Sequence, residues 1–105
     1  MTDHIIDLSE GPARVKVNLS RLVIERDEGE WTLPLSEVGL LAVAHPAVTL
    51  TQSVLSGLAK AGAAYLACDE RRQPVGLMLP LQGHHLQAER FRQQAEAPLP
   101  VRKRI

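Results

Sequence analysis

Ala47–Leu81, AVTLTQSVLSGLAKAGAAYLACDERRQPVGLMLPL, holds a helix, two strands and the turn between them. Thr49 with Gln52 three residues later has the spacing of a capping box, in which side chains satisfy N–H groups that a helix start leaves unpaired. Val54, Leu55, Leu58 and Ala59 then make an apolar stripe at helical spacing, and Gly62 stands where a helix stops. This pattern predicts a helix over about 50–61. AAYLAC reads as a buried strand, DERRQP as a polar turn and VGLMLPL as a second strand.

Upstream, GLLAVAHP is a continuous apolar run closed by Pro46, as in a strand buried on both faces. HIIDL, RVKVNLSRLVIER and EWTLPL are rich in β-branched residues and alternate apolar with polar positions. Val15 and Val17 oppose Arg14 and Lys16; Leu22 and Ile24 oppose Val23 and Glu25. RDEGE at 26–30 has the composition of a hairpin turn with Gly29 at positive φ, so the first third is expected to be a meander. Downstream of QGHH, Leu86–Ala97 is polar with a thin seam of Leu86, Phe91 and Ala95, a marginal helix by itself. Pro98 and Pro100 then break the pattern before a basic end. The expected fold is α+β and mostly β: a sheet or sandwich-like domain with one well-defined amphipathic helix at about 50–61 and a connector helix at about 86–97.

A chain of 105 residues is long enough for one real core and too short for two. Its 12 basic and 12 acidic residues cancel, so net charge provides no field to hold a polyanion. The distribution is uneven. Residues 1–89 carry 7 Lys/Arg against 11 Asp/Glu, whereas the remainder carries Arg90, Arg92, Arg102, Lys103 and Arg104 against Glu96 alone. Affinity for phosphate therefore belongs near the C-terminal end. One cysteine excludes an internal disulfide, MTDHIIDLSEG lacks the pattern of a secretory signal, and no apolar run approaches a membrane span. A cytoplasmic location with no membrane role is expected.

No catalytic set is visible. Asp69 and Glu70 are neighbours, which in an extended chain point to opposite sides, and Arg71 and Arg72 offer local counter-charges, so this stretch reads as a solvated turn. Cys68 ends an apolar run, where a free cysteine behaves as a small buried hydrophobe, and spacing places no histidine beside it. His84 and His85 lack further ligands at metal-binding spacing. Phosphate-cradling glycine loops and a nucleophile elbow are absent, and three aromatic residues are too few for a base-stacking platform.

The ordered series of elements resembles the N-terminal β-domain of the universal CRISPR-associated endonuclease, the spacer-acquisition integrase, and most closely its type II branch. NLSRLVIERDEGEWTLPLSEVGLLAV is similar to that family's early strand, acidic turn, PL pair and SEV step. AVTLTQSVLSGLAKAGAAYLACDERRQPVGLMLPL is similar to its helix, strand ending in Asp, basic turn and strand ending in Pro. GHH with RFRQQ resembles the polar connector, and PVRKRI the basic start of the next helix. The resemblance runs from about His4 to Ile105.

It implies residues 1–83 as the β-rich domain of the integrase and 84–105 as a connector helix plus the start of a helical catalytic domain. In the family that larger domain carries a Glu, a His and an Asp that bind Mg²⁺ or Mn²⁺; none of these ligands matches a position here. The 105 residues alone are thus expected to be inactive and to hold no cofactor. The implied work is dimerisation and DNA positioning, with a second copy, a small ferredoxin-like CRISPR adaptation protein and double-stranded DNA as partners. The implied phosphate contacts are Arg71, Arg72, Arg90, Arg92, Arg102, Lys103 and Arg104. The alternative is a stand-alone protein-interaction module that never touches DNA; a small hydrolase using Cys68 with a histidine is a third class.

Overall fold

The computed structural model describes residues 4–81. The connector helix expected at 86–97, and the basic residues from Arg90 onward, lie outside the described residues. Eight strands form two four-stranded sheets with one helix between chain segments of both. The strands are β1 (His4–Leu8), β2 (Ala13–Asn18), β3 (Arg21–Arg26), β4 (Gly29–Pro34), β5 (Val38–Val43), β6 (Val48–Leu50), β7 (Ala64–Cys68) and β8 (Pro74–Met78). A single 3₁₀ turn (Leu35–Glu37) precedes β5, and the helix α1 spans Gln52–Lys60. Among the described residues, the mostly β architecture with one well-defined helix expected from the sequence is present.

The two hairpins at 13–34 do form a meander, because Asn18–Arg21 and Arg26–Gly29 each close a two-residue loop. The left-handed conformations sit in the first loop: Leu19 (φ 52°) and Ser20 (φ 61°), the signature of a type I′ turn that suits the strands' twist. Gly29, expected at positive φ to make the second turn, is close to extended at φ 159° and opens β4. Neither Leu nor Ser favours the left-handed region. Leu19 is 88 % exposed and has no packing to lose. Replacing Leu19–Ser20 by Asn–Gly is therefore expected to stabilise the domain by about 1 kcal/mol, read as a rise of about 4–8 °C in thermal unfolding.

The meander does not include β1. That strand leaves the hairpin sheet and pairs in parallel with β5, giving the order β1-β5-β7-β8, with β7 and β8 antiparallel. The second sheet runs β4-β3-β2-β6, and β6 pairs in parallel with β2. The short strand β6 occupies the position where a capping box was expected. Thr49 is paired to Arg14, so the helix starts later, with Thr51 as N-cap and no side-chain cap bond. Its C-terminal end is as expected. Gly62 takes φ 84°, its N–H donates to Ala59 O, and Ala63 N–H reaches back to Leu58 O at 2.8 Å, a Schellman closure.

Leu22, Ile24, Val15 and Ala13 from the hairpin sheet meet Leu8, Leu41 and Val43 from the other sheet, with Val54 and Leu58 of α1 and Leu35 closing the core. The helix approaches closely at Gly57, where a Cβ would stand 3.2 Å from Leu35 Cδ1 and 3.7 Å from Val17 Cγ2. The central strands β5 and β7 differ from expectation. The inward Leu41 and Val43 of β5 are buried, but Leu40 and Ala42 on its opposite face are only half-buried, and β7 is half-buried on both faces.

Candidate nucleic-acid interface

The β7–β8 turn presents Arg71 and Arg72, the two predicted phosphate contacts that fall within the described residues. Its geometry is set by Asp69. Arg71 and Gln73 N–H both donate to Asp69 Oδ1 (2.9 and 3.0 Å), Asp69 N–H donates to Gln73 O, and Arg72 N–H to Asp69 O (both 2.9 Å). Asp69 is thus an organiser of the turn, in line with its sequence reading, because one carboxylate oxygen satisfies two N–H groups that the hairpin ladder leaves behind. Arg72 adopts φ 63°, in the left-handed region, and both arginines are exposed. Asp69→Ala removes both side-chain acceptor contacts and is expected to cost about 1 kcal/mol, seen as a drop of about 4–8 °C in thermal unfolding.

Ion pairs among the described residues lie elsewhere, on the outer face of the hairpin sheet. Glu25 sits 3.1 Å from Lys16 Nζ and 3.6 Å from Arg14 Nε. The Lys16 contact above all holds its carboxyl below the usual range. Beside this pair a shallow trough of about 450 Å³ is lined by Lys16, Asn18, Arg21, Glu30 and Thr32. Sequence reasoning did not single out Arg14, Lys16 or Arg21, though their alternation with Val15 and Val17 was the signal that placed two of them on one face. The remaining predicted contacts, Arg90, Arg92, Arg102, Lys103 and Arg104, lie outside the described residues.

A second cleft, of about 270 Å³, opens at the C-terminal ends of the parallel strands β5 and β7. It joins Cys68 with His45, Tyr65, Asp69 and Glu70, an association that sequence spacing did not reveal. Cys68 is half-buried rather than buried, because it ends β7 next to the register irregularity between Ala67 and Cys68. His45 Nδ1 accepts the Ala47 N–H at 3.0 Å, which leaves its proton on Nε2. Among the described residues, no Lys or Arg lines this cleft. Burial, and then the neighbouring Cys68, push the Tyr65 hydroxyl above its ordinary pKa. No group of three His, Cys, Asp or Glu side chains able to hold a metal occurs among the described residues, and no helix there is long and apolar enough to cross a membrane.

Among the described residues, two mixed sheets with a single packed helix and a basic-tipped hairpin define the class: a mostly β, two-sheet domain. No protein-family model matches the chain. It is 26 % identical over 98 residues to the CRISPR-associated endonuclease Cas1 of Neisseria meningitidis serogroup C (strain 8013), covering 93 % of this chain and 32 % of that protein. It is 28 % identical over 85 residues to CRISPR-associated endonuclease Cas1 2 of Pyrobaculum aerophilum, covering 81 % and 29 %. Among solved structures, a Cas1 protein from Thermotoga maritima has the same fold (TM-score 0.63, 18 % identity, 73 % of this chain and 24 % of that one). So does a chain of a partial Cas6-RT-Cas1–Cas2 complex (TM-score 0.67, 13 % identity, 92 % and 30 %). The TtCas1–DNA complex matches at TM-score 0.63, with 18 % identity over 94 % of this chain and 44 % of that one. The chain is thus similar along most of its length to the N-terminal portion of Cas1 proteins. It spans about a third of the length of the curated relatives it matches.

Proposed function

We propose that this chain is the dimerisation and DNA-positioning domain of a CRISPR spacer-acquisition integrase. The observation that carries the proposal is the Cas1 likeness along 98 residues, joined to a fold shared with chains of Cas1–Cas2 and Cas1–DNA complexes. Residues 1–83 form the β-rich domain in this scheme, and 84–105 supply a connector helix and the basic start of a helical catalytic domain. Mg²⁺ or Mn²⁺ belongs to that helical domain, where it would stabilise charge on the attacking and leaving oxygens during phosphoryl transfer. The role of the β-domain is to pair with a second copy, to meet a small ferredoxin-like adaptation protein and to hold duplex DNA through phosphate contacts, which position without reading sequence.

Light scattering and a duplex-DNA mobility shift on the same sample test this. A dimer that retards DNA at low salt, with little preference for sequence, is the expected result. A dimer that ignores DNA at low salt would instead establish the stand-alone interaction module. The charge of residues 4–81 favours that second function, since seven Lys/Arg face nine Asp/Glu there and DNA affinity must come from the few exposed arginines and the basic end.

A further inference from the structure

One side of the core lies open between the two sheets. β1 is the last strand of its sheet and β4 the last strand of the other, so each has an edge without a neighbour among the described residues, and both flank an apolar cleft of about 370 Å³. Ile6 and Leu8 of β1 and Ile24, Trp31 and Leu33 of the hairpin sheet line it. Trp31 is registered against Ile24, and Leu33 against Leu22, both core residues, which places the indole on the core side of its sheet. It is nonetheless 50 % exposed, because the opposite sheet ends at β1. Arg26 lies on the same side, opposite Gly29, and its buried Nε–H has no acceptor among the described residues. The other charges along the cleft are acidic. Asp7 lines it on β1, Asp27 and Glu28 follow Arg26 in the β3–β4 turn, and Glu30 precedes Trp31. All four are exposed, and none is ion-paired among the described residues.

We infer that the free edge of β4 takes an extended segment of a partner protein, in which apolar residues alternate with Lys or Arg, as a further strand of the hairpin sheet. The inference goes beyond the DNA-positioning role and uses none of its residues. An unpaired edge offers a row of backbone N–H and C=O groups to any strand laid along it. Alternation then sends every second side chain of the added strand to the core side, where the cleft receives apolar groups beside Trp31, and the others to the outer side, beside Glu30. A half-exposed tryptophan bordering an apolar cleft is the kind of anchor that dominates binding energy at interfaces. Backbone carbonyls of the added strand are neutral acceptors for the Arg26 Nε–H, so this cation does not exclude a basic partner. Phosphate is disfavoured: the carboxylates of Asp7, Asp27, Glu28 and Glu30 outweigh the Arg26 guanidinium and repel a nucleic-acid backbone as they repel an acidic segment. Charge complementarity selects a basic one.

Trp31 is the chain's one tryptophan, so its fluorescence reports on the cleft directly. The test titrates the full chain with synthetic hexapeptides of alternating lysine and valine, alternating glutamate and valine, and alternating lysine and proline. The last keeps the charge but lacks half of the N–H groups that a strand needs. The lysine–valine peptide is expected to shift the tryptophan emission with a dissociation constant of about 0.1–1 mM at low salt, and the other two to leave it unchanged. By calorimetry the double variant Glu28→Lys/Glu30→Lys is expected to bind that peptide about 10-fold more weakly, whereas Glu70→Lys, a charge reversal on the β7–β8 turn, binds it as the parent does. All three glutamates are exposed, and thermal unfolding checks that the variants stay folded. An equal response to the lysine–valine and lysine–proline peptides would mean attraction by charge without strand pairing and overturns the inference. Equal affinity for the glutamate–valine peptide, undiminished binding by the double variant, or no shift at about 5 mM peptide overturns it as well. Duplex DNA that shifts the Trp31 emission, and does so more strongly in the double variant, assigns the cleft to nucleic acid instead.

Discussion

Leu41→Ala is expected to lower the unfolding free energy by about 2–5 kcal/mol, a large share of the roughly 5–15 kcal/mol that holds a domain of this size. Leu41 is fully buried in the middle of β5, registered against Ile6 on one side and Tyr65 on the other. It belongs to the cluster where α1 places Val54 and Leu58, both also fully buried. Truncation removes apolar surface and leaves a cavity whose walls belong to paired strands and a helix, which cannot collapse inward without breaking hydrogen bonds. Leu40→Ala, one residue away on the outer face, removes the same atoms from a half-open site and should cost well under half as much in the monomer. Urea unfolding of the two variants measures the contrast. Equal losses would mean that β5 is covered as thoroughly outside as inside.

Binding to duplex DNA is expected to weaken about 10³–10⁴-fold between 50 and 200 mM salt if all seven proposed basic residues contact phosphate. Each neutralised phosphate contributes about −0.9 to the slope of log affinity against log salt, giving a total slope of about −6. Changing Arg71 and Arg72 together to alanine should reduce that slope by about 2 and weaken all sequences alike. The turn itself is held by Asp69 and backbone groups, so the double substitution leaves the hairpin in place. Binding indifferent to ionic strength, or an unchanged slope in the double variant, would sink the electrostatic account.

Acid is expected to act in the same direction on the hairpin sheet. Glu25 has a folded pKa below its unfolded one because Lys16 and Arg14 favour its carboxylate. Its small contribution is therefore present above the unfolded pKa and is lost as pH falls through the folded one. At an exposed site in physiological salt that contribution is slight.

The helix, its Schellman end and the Asp69 turn were legible in the sequence because each depends on neighbours within about four residues: an apolar stripe, a glycine, an Asx side chain. The strands were legible from alternation, and the likeness to Cas1 proteins from their order. The capping box at Thr49 failed because that residue is claimed by a three-residue strand that pairs with β2, more than thirty residues upstream. Gly29 looked like the turn residue, yet the left-handed positions fell on Leu19 and Ser20, where strand register demanded them despite their side chains.

What the sequence determined by itself, then, was where the chain runs extended, where it coils and which side of most strands faces a core, because those properties follow from periods of 2 and 3.6 read over a few residues. Which sheet each strand joins was decided by the tertiary structure. β1 crosses to β5 and β6 to β2, His45 and Cys68 meet in one cleft, and Leu77, Leu66 and Ala42 line up on one face that the described residues leave open. Parallel pairings and shared clefts join residues distant along the chain, and an apolar run such as GLLAV carries no mark of which face its own fold will cover.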